Sequence, residues 1–201
     1  MKRLILALIW HSFPTICQLS FGQNQEPSYH LSIPKGWQTE RFSFPLNFAP
    51  EISYQGVEDL RFAPGWAKSA SEEYWSYAIL WYLEGSPEIN SGILEKNLNA
   101  YFSGLIRSNL QPSQALDKAN QEVLASIKPG KTELGDSLTF TGSINMLDYI
   151  QKKKIRLRCL VHVKPCQEGK TAYFFELSPQ SSNHPIWSEL HQLWQEFRCK
   201  L

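Results

Sequence analysis

The segment Tyr74–Glu84, which reads YWSYAILWYLE, constrains the fold more than any other part of the chain. It is rich in aromatic and aliphatic side chains, and both the odd and the even positions are largely apolar. A strand with one solvated face alternates apolar and polar residues, whereas a strand covered on both faces reads as a continuous apolar run. The segment therefore predicts the central strand of a sheet that is covered on both sides.

The segment after this predicted strand has the residue spacing of an amphipathic helix. Apolar residues recur every three to four positions over Ser91–Ser108, with Asn90 or Ser91 able to cap the first turn. The same kind of spacing predicts a second helix over Ser113–Ile127, which Pro129 and Gly130 would end.

Three further strands are expected after these helices. Ser137–Tyr149 and Ile155–Lys164 alternate apolar and polar residues, and Thr171–Ser178 follows a second short turn. This pattern is typical of an antiparallel meander with one apolar and one mostly polar face. Pro185 begins a final helix, whose core-facing stripe consists of Ile186, Leu190, Leu193, Trp194 and Phe197.

Residues 30–70 are dense in proline, glycine and aromatic residues, which exclude a helix and predict short edge strands and ordered loops. The order of elements is thus irregular β, strand, two helices, a three-stranded meander and a helix. It predicts the α+β class, with an antiparallel sheet and packed helices in a sandwich.

The first 22 residues resemble a cleavable secretory signal peptide. Lys2 and Arg3 precede a short apolar run, and Ser20 and Gly22 stand at the small-x-small spacing of a cleavage site. We expect residues 23–201 to form one exported domain, periplasmic or secreted, without a transmembrane segment once the signal is removed. Loss of Lys2 and Arg3 changes the formal charge from +1 to −1, and so small a charge argues against a nucleic-acid partner.

Three cysteines would remain after cleavage into an oxidising compartment. Cys159 and Cys166 lie about 23 Å apart along one strand, too far for a disulfide unless Pro165 bends the chain sharply. The last strand leads away from Cys166, and the final helix returns about 21 Å, which brings Cys199 back to the same turn. We expect either a Cys166–Cys199 disulfide, with Cys159 a buried thiol, or three free thiols.

Polar side chains on one strand are the first candidate binding surface. Arg156, Arg158, His162 and Lys164 share one parity and face a polar row on the preceding strand, Thr139, Thr141, Ser143 and Asn145. Such a surface could bind an anionic or hydroxylated ligand, with His162 as a titrating group. The alternative, a solvated sheet face, is the more common outcome.

The aromatic residues are a second candidate. Most are expected to lie in the core because each ring buries a large apolar area. Trp37 and Trp66 stand beside Gly/Pro turns and are the rings most expected to be exposed, where they could contact a ligand.

Known catalytic and metal-binding motifs are missing from the sequence. There is no G-x-S-x-G, H-E-x-x-H or C-x-x-C, and the histidines show no metal-ligand spacing. Ala125–Thr132 fits a loose phosphate-loop pattern, but a helix is predicted before it and a strand after it, the reverse of the required order. We therefore interpret it as a helix-ending turn, and we predict no catalytic residue, metal or cofactor.

Ile33-Pro34-Lys35-Gly36-Trp37 resembles the opening of PsbP-like domains, the extrinsic photosystem subunit superfamily. The closing strand, loop and amphipathic helix of Tyr173–Phe197 are similar as well. This resemblance implies an α/β/α sandwich, mostly without known catalysis. The Pro-rich segment 43–66 departs from that family. Residues 50–66 and 74–85 also look like a set of uncharacterised exported bacterial proteins, which carry no functional information.

Two functions are compatible with these observations. The first is an exported, non-catalytic binding or accessory domain whose partner is an unknown small molecule or protein. The second is a small secreted enzyme, hydrolase-like, that uses His162 with a nearby carboxylate such as Glu176. An enzyme requires a concave pocket in which His162 meets a second titratable group at hydrogen-bonding distance.

Overall fold

The computed structural model of the chain describes residues 27–110 and 122–200. The predicted signal peptide, residues 1–22, lies outside the described residues. The elements in chain order are β1 Tyr29–His30, β2 Gln38–Ser43, β3 Gly56–Phe62, β4 Tyr77–Glu84, α1 Ser91–Asn109, β5 Leu124–Pro129, β6 Leu138–Asp148, β7 Lys153–Pro165, β8 Lys170–Ser178, α2 Ile186–Glu196 and β9 Arg198–Cys199.

Seven strands form one sheet in the order β2-β3-β4-β8-β7-β6-β5, and β1 pairs separately with β9. Every pairing is antiparallel. Strand β4 lies between β3 and β8, and its residues from Tyr77 to Leu83 are all buried, which confirms the predicted central strand. The predicted meander is confirmed as β6, β7 and β8.

Alternate side chains of β4 belong to two different cores. Ile79 and Trp81 pack in a cluster that includes Leu98 of α1. Leu80 packs in a second cluster that includes Leu190 of α2. Since neighbouring residues of a strand point to opposite faces, each helix contributes to the core of a different face. The chain is an α+β protein built mainly from antiparallel sheet.

The predicted starts of α1 and α2 are confirmed, whereas the last helix, expected to extend to Cys199, ends at Glu196 and is followed by strand β9. Asn90 caps α1, and its side-chain oxygen accepts a hydrogen bond from the Ile93 amide at 3.0 Å. Helix α2 begins directly after Pro185 and buries the predicted stripe, including Leu190 and Leu193. Local sequence signals therefore suffice for both helices.

The predicted helix over Ser113–Ile127 is wrong where the structure describes it, because residues from Leu124 onward form strand β5 at the sheet edge. Ala125 and Ile127 are buried, whereas Leu124 is exposed, and this alternation has the period of a strand. The segment Ala125–Thr132 consequently contains the end of a strand and not the end of a helix.

The region 30–70 contains one strand that is not an edge strand. Strand β2 is exposed at the sheet edge, as expected, but β3 is paired on both sides and is largely buried. No proline occurs between Pro50 and Pro64, so every residue of β3 retains the amide donor that an internal strand needs.

Cys166 and Cys199 lie at disulfide distance, with their Cα atoms 5.6 Å apart, as the chain geometry predicts. Cys159 is a buried free cysteine in the α1-side core. Among the described residues, no helix combines the length and the apolar character needed to cross a membrane.

Candidate functional site

The candidate site lies where α2 packs against the polar side of β7 and β8. Strand β7 pairs with β6 so that His162 stands opposite Thr139 and Arg158 opposite Ser143, which confirms the predicted opposition of the two polar rows. On its other side, His162 is paired with Phe174 of β8. The predicted polar surface is therefore a continuous part of one sheet face.

The side chain of His162 is fully buried. The alternative of a solvated sheet face is therefore wrong at this position. The indole of Trp194, from α2, stacks on its ring with a centroid distance of 5.1 Å. Its Nδ1 lies 2.7 Å from Asp136 Oδ2, and its Nε2 lies 3.1 Å from Glu176 Oε1. Both ring nitrogens thus have a carboxylate partner, and α2 shields the group from solvent.

A second histidine joins the cluster from α2. Nδ1 of His191 lies 3.0 Å from Glu176 Oε1, the same oxygen that His162 contacts. Nε2 of His191 lies 3.4 Å from Glu133 Oε2. His191 is partly exposed, whereas the Glu176 side chain is buried. The buried carboxylate of Glu176 therefore contacts both imidazole rings.

The loop between β5 and β6 supplies two more carboxylates. Glu133 Oε2 also lies 3.9 Å from His162 Nδ1. Asp136 is held by Thr139, whose hydroxyl donates to Oδ2 at 2.7 Å, and by Trp194, whose Nε1 donates to Oδ1 at 2.9 Å. The loop is therefore fixed to both the sheet and α2.

These carboxylates favour protonated imidazoles. Burial alone would lower the pKa of His162, but its hydrogen bonds to Glu176 and Asp136, together with their charges, outweigh burial and raise the pKa. The pKa of His191 is raised chiefly by its hydrogen bond to Glu176, against a smaller opposing effect of burial. The cluster, which we call the histidine–carboxylate cluster, consists of Glu133, Asp136, His162, Glu176 and His191.

A cavity of about 460 Å³ opens beside the histidine–carboxylate cluster. Glu133, Glu176 and His191 form part of its wall, and Arg158 and Trp187 also line it. Within the described residues, the Arg158 guanidinium has no hydrogen-bond or salt-bridge partner. The cavity thus combines one unpaired cation with an aromatic ring and the edge of a charged cluster.

Not all of the predicted site residues meet at this cavity. Arg156 is exposed on the same strand but lines a different cavity with Glu122 and Asn145. Trp37, expected to be exposed, is buried in the α2-side core, because its ring packs in the apolar cluster that includes Leu190 and Leu193 of α2. Trp66 is half-buried against the α1-side core, where its ring lies 4.6 Å from that of Phe62. Neither tryptophan lines the 460 Å³ cavity.

Three members of the cluster were missed by the sequence reasoning, namely Glu133, Asp136 and His191. Glu133 and Asp136 stand in a loop without periodicity, and His191 is isolated on a helix. The histidines have no metal-ligand spacing along the chain, yet donor atoms of Glu133, His162 and His191 lie within 4.8 Å of one another.

Searches against protein-family models, curated proteins and solved structures found no match to this chain. The function is therefore argued from the site alone.

Proposed function

We propose that the protein is an exported, non-catalytic binding domain that takes a small anionic ligand in the cavity between α2 and the polar sheet face. The observation that carries this proposal is the unpaired guanidinium of Arg158 at a cavity of about 460 Å³. An arginine presents a planar fork of donors that matches a carboxylate or phosphate group. A bound anion would supply the partner that no described residue gives to Arg158.

The remaining cavity wall suits the rest of such a ligand. Trp187 offers an aromatic surface, while Thr141 and Ser188 offer hydroxyl groups. Pockets of this size bind small molecules by combining apolar contact with a few polar groups that fix orientation. A ligand with one anionic end and a hydroxylated or apolar body meets these requirements.

Export is part of the proposal. The N-terminal signal pattern supports it, and the Cys166–Cys199 pair at disulfide distance is compatible with an oxidising compartment. We further propose that the two helices and the sheet form three layers, similar to those of PsbP-like domains. The separate cores of α1 and α2 support this arrangement.

The test is a thermal-shift screen of the purified protein against small carboxylates, inorganic phosphate, and neutral and charged sugars. A ligand that binds only the folded state raises the unfolding midpoint as its concentration exceeds the dissociation constant. We expect an anionic compound to raise the midpoint and Arg158→Gln to abolish that rise. Arg156→Gln is the matched control, because it removes an exposed arginine from the same strand face outside the cavity.

Two results would contradict the proposal. One is the absence of any response across the panel, and the other is an equal loss of response in Arg158→Gln and Arg156→Gln. The second result would show a general charge effect and not a site at Arg158.

The alternative function, a small secreted hydrolase, has one observation in its favour. His162 meets Glu176 at 3.1 Å beside a concave cavity. However, His162 is fully buried and both of its ring nitrogens already have partners, so of the two histidines only His191 lines the cavity that a substrate would enter. Hydrolysis of chromogenic esters or phosphomonoesters that His191→Gln abolishes and His30→Gln leaves unchanged would favour the enzyme over the binding domain.

A further inference from the structure

We propose that Glu133, His162 and His191 bind one divalent transition-metal ion, with Zn²⁺ the best-matched candidate. The ligand atoms would be Glu133 Oε2, His162 Nδ1 and His191 Nε2. Two imidazoles and one carboxylate form a ligand set that Zn²⁺ accepts readily, at bond lengths of about 2.0–2.2 Å. The proposal goes beyond the anion-binding function and does not depend on it.

The distances between these atoms suit a single ion. Glu133 Oε2 lies 3.4 Å from His191 Nε2 and 3.9 Å from His162 Nδ1, and one ligand atom from each of the three residues lies within 4.8 Å of the other two. Bonds of about 2.1 Å in a tetrahedral site place neighbouring ligand atoms roughly 3.4 Å apart. Small side-chain movements therefore suffice to close the three atoms around an ion.

Glu176 provides the second, independent observation. Its Oε1 accepts from the ring nitrogens that face away from the proposed ion, Nε2 of His162 at 3.1 Å and Nδ1 of His191 at 3.0 Å. Metal-binding histidines almost always donate their other N–H to a carboxylate or carbonyl, which fixes the tautomer and the ring orientation. Here one buried carboxylate orients both rings at once.

Asp136 lies next to the proposed site. Its Oδ2 lies 2.7 Å from His162 Nδ1, and the Thr139 hydroxyl and the Trp194 indole hold its two oxygens in place. When His162 Nδ1 binds the ion, this contact is lost, and Oδ2 can then accept a hydrogen bond from a metal-bound water. Glu133 and His191 are both partly exposed and line the cavity, so an ion has a path from solvent into the site.

The first experiment is calorimetric titration of chelator-treated protein with Zn²⁺ alone. We expect one ion per chain, bound with release of protons, since ions displace protons from imidazole ligands. Co²⁺, titrated in place of Zn²⁺, should give the visible absorption of a four- or five-coordinate nitrogen–oxygen site. Absence of stoichiometric binding, or a cobalt spectrum equal to that of the hexahydrated ion, would overturn the proposal.

Variants distinguish this site from adventitious binding. His191→Gln and Glu133→Gln remove partly exposed ligands and should abolish stoichiometric binding. Glu176→Gln, which alters a positioning residue, should weaken the Zn²⁺ affinity about 10–100-fold. The matched controls are His30→Gln and Glu189→Gln, which remove an exposed histidine and an exposed glutamate outside the cluster. Equal affinities in the ligand variants and these controls would contradict the assignment.

Two readouts keep the proposal separate from protein folding and from anion binding. Circular dichroism of each variant checks the fold, and the partly exposed positions of His191 and Glu133 make those two variants the ones expected to remain folded. Arg158→Gln should keep full Zn²⁺ affinity while losing the anion response. If Zn²⁺ binding fails and the anion response persists, the metal site is refuted and the anion-binding function is not.

Discussion

The indole of Trp194 lies nearly parallel to the imidazole of His162, with the ring centroids 5.1 Å apart and an interplanar angle of 23°. Its Nε1 also donates to Asp136 Oδ1 at 2.9 Å. One side chain of α2 therefore covers the buried histidine and holds the loop that carries Asp136. Removal of this side chain affects the sheet face, the loop and the helix together.

Truncation of Trp194 tests this relationship. Trp194→Ala should lower the free energy of unfolding by about 3–5 kcal/mol, the usual range for loss of a buried large aromatic ring. Trp194→Phe keeps most of the stacking but loses the indole N–H, so we expect a loss of about 2 kcal/mol, typical of a hydrogen bond to a charged group. Urea unfolding measures both values. Equal losses for the two variants would contradict the assigned role of the indole N–H.

Glu58 predicts a specific pH dependence of stability. It is fully buried on the α1 side, where burial raises its pKa to about 7 despite hydrogen bonds from Trp81 Nε1 and the Tyr101 hydroxyl. From the unfolded value of 4.5 up to about 7, the folded state retains a proton that the unfolded state releases. Stability should therefore fall as the pH rises through this window.

The Glu58→Gln variant isolates that contribution. Relative to the variant, the wild-type protein should lose about 3 kcal/mol of stability between pH 4 and pH 8, because each pKa unit corresponds to about 1.4 kcal/mol. Urea unfolding at a series of pH values gives this difference, with exposed Glu88→Gln as the control. A stability difference between wild type and Glu58→Gln that does not change with pH would show that the Glu58 pKa is not raised.

The parts of the fold that sequence predicts well are those whose signal is local and strong. Tyr77–Leu83 is apolar at every position, and a strand covered on both faces buries all of these side chains. The Asn90 cap and the Pro185 start are similarly local. The approach of Cys199 to Cys166 follows from the lengths of one strand and one helix.

The local sequence did not suffice to predict strand β5. Its short apolar pattern fits a helix or a strand, and the choice depends on contacts with α1. The Ala125 amide donates to Asn99 Oδ1 and the Ile127 amide to Glu95 Oε1, both at 2.8 Å. These helix side chains satisfy edge-strand donors, and nothing in the sequence near β5 indicates such partners.

Only part of the candidate site could be predicted from the sequence, because its residues come from different kinds of element. Arg158, His162 and Glu176 were found because adjacent strands of the same sheet carry them on one face. Glu133 and His191 come from a loop and from a helix that packs on that face afterward. No periodicity relates these three elements, so only the folded chain brings the five residues of the histidine–carboxylate cluster together.

The Cys166–Cys199 pair predicts a redox-dependent stability. The two residues are separated by 33 positions, and closing a loop of that length stabilises a protein by about 3–4 kcal/mol on the chain-entropy model. Cys199→Ser, or treatment with a reductant, should lower the free energy of unfolding by that amount. Cys166→Ser combined with Cys199→Ser should add little further loss, and should make the protein insensitive to reductant.

Thiol titration in denaturant provides the check on that pair. Reduction should expose two additional thiols in the wild-type protein and none in the double variant. If reduction exposes no additional thiols in the wild type, the pair is not oxidised in the purified protein.

Two glycines of α1 should respond in opposite ways to the same substitution. A Cβ at Gly104 would lie 1.8 Å from the Phe48 carbonyl oxygen, whereas the nearest atom to a Cβ at Gly92 is the Asn90 Oδ1, 3.5 Å away. Gly104→Ala should therefore force apart α1 and the loop at Phe48 and destabilise the protein by about 1–3 kcal/mol. Gly92→Ala should be neutral or stabilise it by up to about 1 kcal/mol, because alanine favours the helix. Urea unfolding of the two variants compares them within one helix, and equal effects would mean that α1 and the Phe48 loop do not approach this closely.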